Sequence, residues 1–414
     1  MSSPPRAQIR RILTGDSQVP FAVRYWDGTE DRFGAGNPVF RIVFRSPFGL
    51  AGMLRGGLGF GEAYMACDID LEGDIRRMFV VLNALKPRLG IVDVLHLVWY
   101  NLRLAAGASL SSARKNAQHH YDLGNDFFRL WLDNTLSYSC AYFEEPSFTL
   151  EQAQTAKLDH ICRKLMLRRG ERFLDIGCGW GTLLFHAVEH YRVQGMGITL
   201  SEEQARHAQA EIVRRGLQSR ATVAVSDYRS IQGTFDKIAS VGMFEHVGKR
   251  AMPVYFQRVQ ALLAESGLTL LHTIGRKGWL PTGQGQWARK YIFPGGYLPE
   301  AEEIFEAAAA TTLVPLDLEN LKQHYTCTLD AWAQRFEASL DRVRSLGFDE
   351  RFIRMWRFFL YGSAEHFRTG VLQLYQVTFI NGWGRLPRTR RHLYVAAPDT
   401  SDDTRRTADQ LFVS

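Results

Sequence analysis

Along the middle of the chain, short apolar runs alternate with stretches whose apolar residues recur at helical spacing. The runs Phe173 to Gly177, Val193 to Leu200, Thr222 to Asp227, Phe235 to Val241 and Leu268 to Ile274 are each predicted as a buried strand. Between them the stripes are those of amphipathic helices, as in Leu183, Leu184 and Ala187. Alternation of this kind predicts a parallel sheet covered on both faces, with ligands at the carboxyl ends of its strands. Asp175, Thr199, Asp227, Glu245 and His272 fall at those ends. Two helices, Leu329 to Val343 and Arg351 to Phe367, and a strand from Val371 to Ile380 are predicted after them.

The flanking segments are patterned differently. Val19 to Ile42 reads as short strands and Asp70 to Leu104 as helices, which together predict a small α+β unit. Within the latter, Ile91, Val94, Leu95, Val98, Trp99 and Leu102 share one face, which suits either a core or a membrane surface. Ala105 to Asn116 is small and polar, as a linker is. The expected organisation is therefore an N-terminal α+β domain over 1–115 for lipid docking or dimer formation, a catalytic domain over 116–396 and a disordered polar tail over 397–414. Inside the catalytic domain, Gly275 to about Val314 is an insertion with the length of a lid, carrying Tyr291-Ile-Phe-Pro-Gly-Gly-Tyr-Leu-Pro299.

Chemistry enters at Glu171 to Gly181, where an apolar strand carrying Asp175 runs into Gly177, Gly179 and Gly181. Glycines at this spacing let the backbone turn sharply and a ligand approach closely. The spacing is G-x-G-x-G with no phosphate-binding chemistry after it, which favours S-adenosylmethionine over a dinucleotide. A structural strand-to-helix turn is the bland alternative.

Composition narrows the partners. The net charge of +7 and the clusters Arg6/Arg10/Arg11, Arg163/Lys164/Arg168/Arg169 and Arg385/Arg388/Arg390/Arg391 suit nucleic acid or anionic lipid. No nucleic-acid-binding motif accompanies them, so no nucleic acid is expected. No apolar run reaches the roughly 18 residues that span a bilayer. The five cysteines form no C-x-x-C pair, no metal is expected, and the N-terminus has no apolar signal core. The protein is read as cytoplasmic.

Further segments stand beside the glycine turn: Tyr121 to Asp126, Tyr138-Ser-Cys-Ala-Tyr-Phe143, Gly197 to Ser201, Ser240 to Gly248, Leu271 to Gly275, and His324 to Trp332. With them the chain resembles the cyclopropane-fatty-acyl-phospholipid synthase family over residues 118 to about 385, and Leu58 to Met65 is similar to that family's small domain. The resemblance implies a class I, Rossmann-like methyltransferase α/β sheet and transfer of a methylene from S-adenosylmethionine across a cis double bond of a phospholipid acyl chain. It also implies peripheral attachment to the inner face of the membrane, with a homodimer carried as an expectation.

A bound bicarbonate ion as base is implied as well, held by residues matching Cys140, Glu245, His272, Ile274 and Tyr325. Its O–H would donate to Glu245, and its other oxygens would accept from His272, the Tyr325 hydroxyl and the amides of Cys140 and Ile274. For the cofactor, Asp175, Gly177 and Gly179 are assigned to the methionine end, with Tyr138 and Ser139 covering its carboxylate side. Thr199, Leu200 and Gln204 take the ribose, and Asp227 and Tyr228 the adenine. Singly, Cys140 reads as a small buried apolar group, His272 as a satisfied core histidine, Glu245 as a first-turn helix carboxylate and Tyr325 as packing. A methyltransferase of the same family that leaves a methyl or methylene branch is the chemical alternative. A non-catalytic lipid-binding module and a soluble small-molecule methyltransferase are the others.

Overall fold

The structure, a computed structural model, describes residues 4–13, 19–84, 124–278, 282–382 and 388–394. Tyr121 to Leu123, the predicted helical face over 91–104, the linker over 105–116 and the tail from Ala397 lie outside the described residues.

A larger sheet carries the site. Its strands are β5 (Arg172–Ile176), β6 (Gln194–Thr199), β7 (Ala221–Val225), β8 (Phe235–Val241), β9 (Leu263–Arg276), β10 (Leu313–Asn320) and β11 (Leu372–Asn381), in the spatial order β10-β11-β9-β8-β5-β6-β7. The reversal of order between β5 and β8 opens the crevice in which open α/β sheets bind ligands. The strands β5 to β9 pair in parallel as the alternation predicts, but β11 runs antiparallel to both β9 and β10. The sheet is therefore mixed at one edge.

A smaller sheet in the N-terminal part has the order β2-β1-β3-β4, from β1 (Phe21–Arg24), β2 (Glu30–Phe33), β3 (Phe40–Phe44) and β4 (Ile69–Gly73). The helix expected from Asp70 begins later, because Ile69 to Gly73 instead pairs with β3 along its whole length. The N-terminal helices are α1 (Pro4–Leu13), α2 (Pro47–Leu54), α3 (Gly56–Met65) and α4 (Ile75–Ala84).

In the larger part the helices are α5 (Asn125–Phe128), α6 (Leu150–Lys164), α7 (Thr182–His190), α8 (Glu202–Arg214), α9 (Met252–Leu262), α10 (Thr282–Tyr291) and α11 (Ala301–Ala308), followed by α12 (Lys322–Ala338), α13 (Leu340–Ser345), α14 (Glu350–Thr369) and α15 (Arg391–Tyr394). The helix expected at Leu329 to Val343 starts earlier, at Lys322, and is interrupted at Ser339. Its buried face includes Tyr325, Thr326 and Thr328 ahead of Leu329, so the first turns carry no continuous apolar stripe. The expected insertion is built of α10, a glycine-containing connection, α11 and the entry into β10.

One buried cluster, rich in aromatic rings, runs from the small sheet into α10, α12 and α14; Trp131, Trp287, Trp332 and Trp356 are fully buried in it. Arg354 of α14 fastens the two parts, donating to the carbonyls of Tyr64 and Ile69 at 3.2 Å and to Asp70 Oδ1 at 3.1 Å. Several members of the basic clusters are used internally. Arg6 pairs with Asp27, Arg10 with Asp31 and Arg390 with Asp317, while Lys164 is buried against Glu319. Those charges are partly spent before any acidic partner arrives.

Candidate active site

The glycine turn is shaped by three left-handed residues, Gly177 (φ 78°), Gly179 (φ 55°) and Gly181 (φ 92°). A Cβ on Gly177 would lie 2.7 Å from Met243 Cβ, and one on Gly181 would lie 2.5 Å from Phe185 Cζ. A Cβ on Gly179 would meet nothing within 4 Å. Packing thus requires the first and third glycines, while the second borders open space. Asp175 is 2 % exposed just before the turn, and its Oδ2 has no hydrogen-bond partner. Burial pushes its carboxyl up to about 7, opposed by the charge of Lys157.

The neighbouring strand ends complete one cavity. Ser201 caps α8 by accepting from Gln204 N, which brings Gln204 back to the end of β6, where Thr199 Oγ1 donates to Gln204 Oε1 at 2.8 Å. After β7, Asp227 accepts from Arg229 through both Nε and Nη2 at 2.8 Å. Burial raises its carboxyl, but the Arg229 guanidinium and amide outweigh this and hold it below the usual range. Tyr228 packs edge-on against Tyr255 as the wall beside it. Every residue assigned to the cofactor from sequence lines this one cavity: Tyr138, Ser139, Asp175, Gly177, Gly179, Thr199, Leu200, Gln204, Asp227 and Tyr228. Arg229 and Lys157 line it too and were not expected.

A second cavity shares Tyr138, Ser139, Gly242 and His246 with the first. Its lining is largely apolar, with Trp287 and Phe293 from α10 and its exit, Phe358, Phe359 and Phe367 from α14, and Leu374 from β11. Glu245, His272, Ile274 and Tyr325 line it as well, so four of the residues assigned to catalysis converge there.

Gly242 (φ 66°) follows β8 and turns the chain into the short 3-10 helix Phe244–His246, which brings Glu245 to the cavity. Glu245 is buried; Oε1 accepts from Ile274 N at 2.7 Å and Oε2 has no partner. Burial raises its carboxyl to about 7, against the lowering effect of the Ile274 amide. That amide was expected to face a bound anion; here it is committed to Glu245.

His272 lies inside β9, which continues to Arg276, and not at a strand end as expected; it pairs with Val241, where β8 stops. Burial pulls its imidazole down to about 3, so it is neutral. Gln376 Nε2 lies 3.0 Å from His272 Nδ1, and a donor there leaves the ring proton on Nε2. His246 and His366, also lining this cavity, are held neutral by burial, both near 4.

Cys140 is buried, its thiol donates to Ala141 O at 3.1 Å, and burial pushes its ionisation far up, which removes it as a nucleophile. It does not line either cavity. Its segment is pinned to α12, with Ala141 N donating to Thr328 Oγ1 at 3.0 Å and Phe143 N to His324 Nδ1 at 3.0 Å. Among the described residues no cluster of His, Cys, Asp or Glu is placed to hold a metal ion, and no helix is long and apolar enough to cross a membrane.

A cavity of strand ends and polar turns at the switch point of the sheet, opening beside an apolar one that holds a buried carboxylate, invites comparison with known proteins. The family model described as mycolic acid cyclopropane synthetase matches residues 108–377, and a domain of unknown function, DUF7884, matches residues 8–86. The chain is 40% identical over 336 residues to a cyclopropane-fatty-acyl-phospholipid synthase of Escherichia coli (strain K12), covering 79% of this chain and 84% of that one. It is 34% identical over 390 residues to a probable fatty acid methyltransferase of Pseudomonas putida, covering 91% and 96%. Among solved structures, the mycolic acid cyclopropane synthase CmaA1 complexed with SAH and CTAB is similar at a TM-score of 0.62 and 36% identity, over 64% of this chain and 98% of that one.

Proposed function

The chain belongs to the mycolic acid cyclopropane synthetase family and is an S-adenosylmethionine-dependent methyltransferase; from that premise we propose that it is a cyclopropane-fatty-acyl-phospholipid synthase. The observation that carries the reading is the unpartnered Glu245 Oε2, buried in an aromatic cavity that adjoins the cofactor cavity. An apolar chain fits that cavity, and a carboxylate in such surroundings is tuned to accept a proton near neutrality.

The first cavity suits the cofactor on two counts, the open side of Gly179 and the unpartnered Asp175 Oδ2. Asp175, Gly177 and Gly179 would hold the methionine end, Thr199, Leu200 and the amide of Gln204 the ribose, and Tyr228 the adenine, with Asp227 kept in place by Arg229. S-adenosylmethionine when bound supplies an electrophilic methyl group on a positively charged sulfur.

An acyl double bond is a weak nucleophile, so the chain must be aligned and kept dry. Phe293, Phe359, Phe367 and Tyr325 offer ring faces that stabilise the cationic carbon formed when the double bond takes up the methyl. Loss of one methyl proton then lets the C–H electrons close the ring, and Glu245 holds that proton at Oε2. A bicarbonate ion would suit the acceptor Glu245 Oε2 and the donors His272 Nε2–H and Tyr325 O–H; held there it would supply an exchangeable base between the methyl group and Glu245, with the proton still ending on Oε2. The Ile274 amide is outside that set, and Cys140 keeps a supporting place in the segment above the cavities.

Attachment to a phospholipid surface and a docking or dimer-forming role for the N-terminal part belong to the same proposal. A methyl-branched product is the second reading, favoured by the relative named a fatty acid methyltransferase. Phospholipid vesicles with cis-unsaturated chains, incubated with protein and cofactor, separate the two. Gain of one CH2 with loss of alkene protons and appearance of ring protons is expected; vinylidene or methyl-branch signals would sink cyclopropanation.

A further inference from the structure

The cofactor cavity contains a buried cation. Lys157 lies on α6, which Thr149 and Gln152 start with a capping box, and its position places it among the buried residues Ala153, Gln154, Leu158 and Ile161. It is 3 % exposed, lines the cavity, and donates from Nζ to Ser139 Oγ at 2.9 Å. Gln154, one turn earlier on the helix, holds the same loop, its Nε2 donating to Ser139 O at 3.0 Å. Ser139 is thus fixed through backbone and side chain.

Asp175 lines the same cavity, with Oδ2 unpartnered, and among the described residues no ion pair joins it to Lys157. An ammonium with one hydrogen bond to a neutral hydroxyl retains two further donors and its charge. Burying such a group is costly unless an anion meets it. Asp133, the other carboxylate besides Asp175 acting on Lys157, already accepts from Thr135 N, Thr135 Oγ1 and Ser137 N. A cavity whose buried ammonium and buried carboxylate feel each other's charge without pairing is complementary to a zwitterion of opposite polarity. The amino-acid end of S-adenosylmethionine is one.

We propose that Lys157, with Ser139 as the hydroxyl that orients it, binds the α-carboxylate of the cofactor while Asp175 receives the α-ammonium. The inference rests on the cofactor reading and assigns the carboxylate partner within it. Burial lowers Lys157 to about 8, and Asp133, Cys140 and Asp175 oppose that shift, so the side chain is largely charged at neutral pH.

Calorimetric titration with S-adenosylmethionine and its decarboxylated analogue tests this directly. The unaltered protein should bind the decarboxylated form about 10- to 100-fold more weakly, the range for a hydrogen bond to a charged group. Lys157→Met should weaken S-adenosylmethionine by a similar factor and no longer distinguish the two. Lys157→Arg, which keeps the charge and supports folding if the methionine variant does not, should retain the distinction. Equal binding of the two ligands by the unaltered protein, or a persisting preference in a folded Lys157→Met, overturns the assignment of Lys157 alone. No binding of S-adenosylmethionine by the unaltered protein would overturn the cofactor reading itself.

Discussion

The two cavities meet at Tyr138, Ser139, Gly242 and His246 but are assembled from opposite kinds of material. The cofactor cavity is made of strand ends and the turns after them, where backbone groups and short polar side chains are held by local bonds such as Thr199 to Gln204 and Asp227 to Arg229. The second is made of large apolar side chains from α10, α12, α14 and β11, elements distant in sequence. The difference teaches where specificity resides. A turn can be copied among many methyltransferases, whereas the shape of the apolar cavity depends on how several helices pack in this chain.

Removing the proposed proton acceptor should separate the two most sharply. Glu245→Gln keeps the volume and the acceptor for Ile274 N but takes no proton, so turnover should fall about 10²- to 10⁴-fold. Affinity for S-adenosylmethionine should stay within about threefold, since Glu245 lines only the second cavity. Turnover near that of the unaltered protein would refute the role of Glu245; a parallel loss of cofactor affinity would refute the independence of the cavities.

The next effect is one of pH. Asp175 and Glu245 are both raised by burial to about 7, one in each cavity. In the proposed mechanism the ionised form of each is the active one, and it prevails above the raised value. Acidification through 7 should therefore weaken cofactor binding through Asp175 and slow the chemical step through Glu245, each by about tenfold per pH unit well below 7. Single-turnover rates at saturating cofactor should report Glu245, and direct binding should report Asp175. Asp175→Asn should abolish the weakening of binding on acidification and leave the pH dependence of the saturated rate. If one substitution flattened both profiles, the two cavities would titrate as one site.

The same contrast explains what the chain discloses before its structure is known. The strands of the parallel core are legible because apolar runs end in glycine or a polar turn, and most of the cofactor residues follow such an end. β10 is concealed by Pro315 and by its alternating polar residues, which suit an edge strand. β4 is concealed because Asp70 and Glu72 resemble the polar face of a helix until their pairing with β3 is seen. Lys157 had a signal, a lysine set within the spacing of a buried helical stripe, although lysine on a helix is ordinarily a solvated group. Gln376 had none: its partner His272 is on a different strand, and only the antiparallel register of β9 and β11 brings them opposite. The apolar cavity is illegible for the same reason. Phe358, Trp287 and Leu374 look like core residues, and each lines a void only because others stop short of filling it.

That dependence on remote packing extends into the N-terminal part and sets the smallest of these effects. Gly61 of α3 lies flat against Trp287 of α10, and a Cβ there would sit 2.5 Å from Trp287 Cδ1 and 3.1 Å from Phe358 Cε1. Trp287 and Phe358 line the apolar cavity. The adjacent Glu62 Oε1 accepts from Lys290 Nζ at 2.6 Å and from Tyr291 O–H at 3.0 Å, tying the end of α10 to the same helix. Gly61→Ala must displace the indole, at about 1–3 kcal/mol for an overpacked site. The displacement enters the apolar cavity, so KM for the proposed unsaturated phospholipid substrate should rise about 3- to 10-fold while cofactor affinity is unchanged. Glu62→Gln, which removes a pair with a half-exposed lysine and spares the indole, should change KM by less than about threefold. A Gly61→Ala protein with unaltered lipid KM, or one whose cofactor affinity falls equally, would show that the N-terminal part does not shape the apolar cavity through α10.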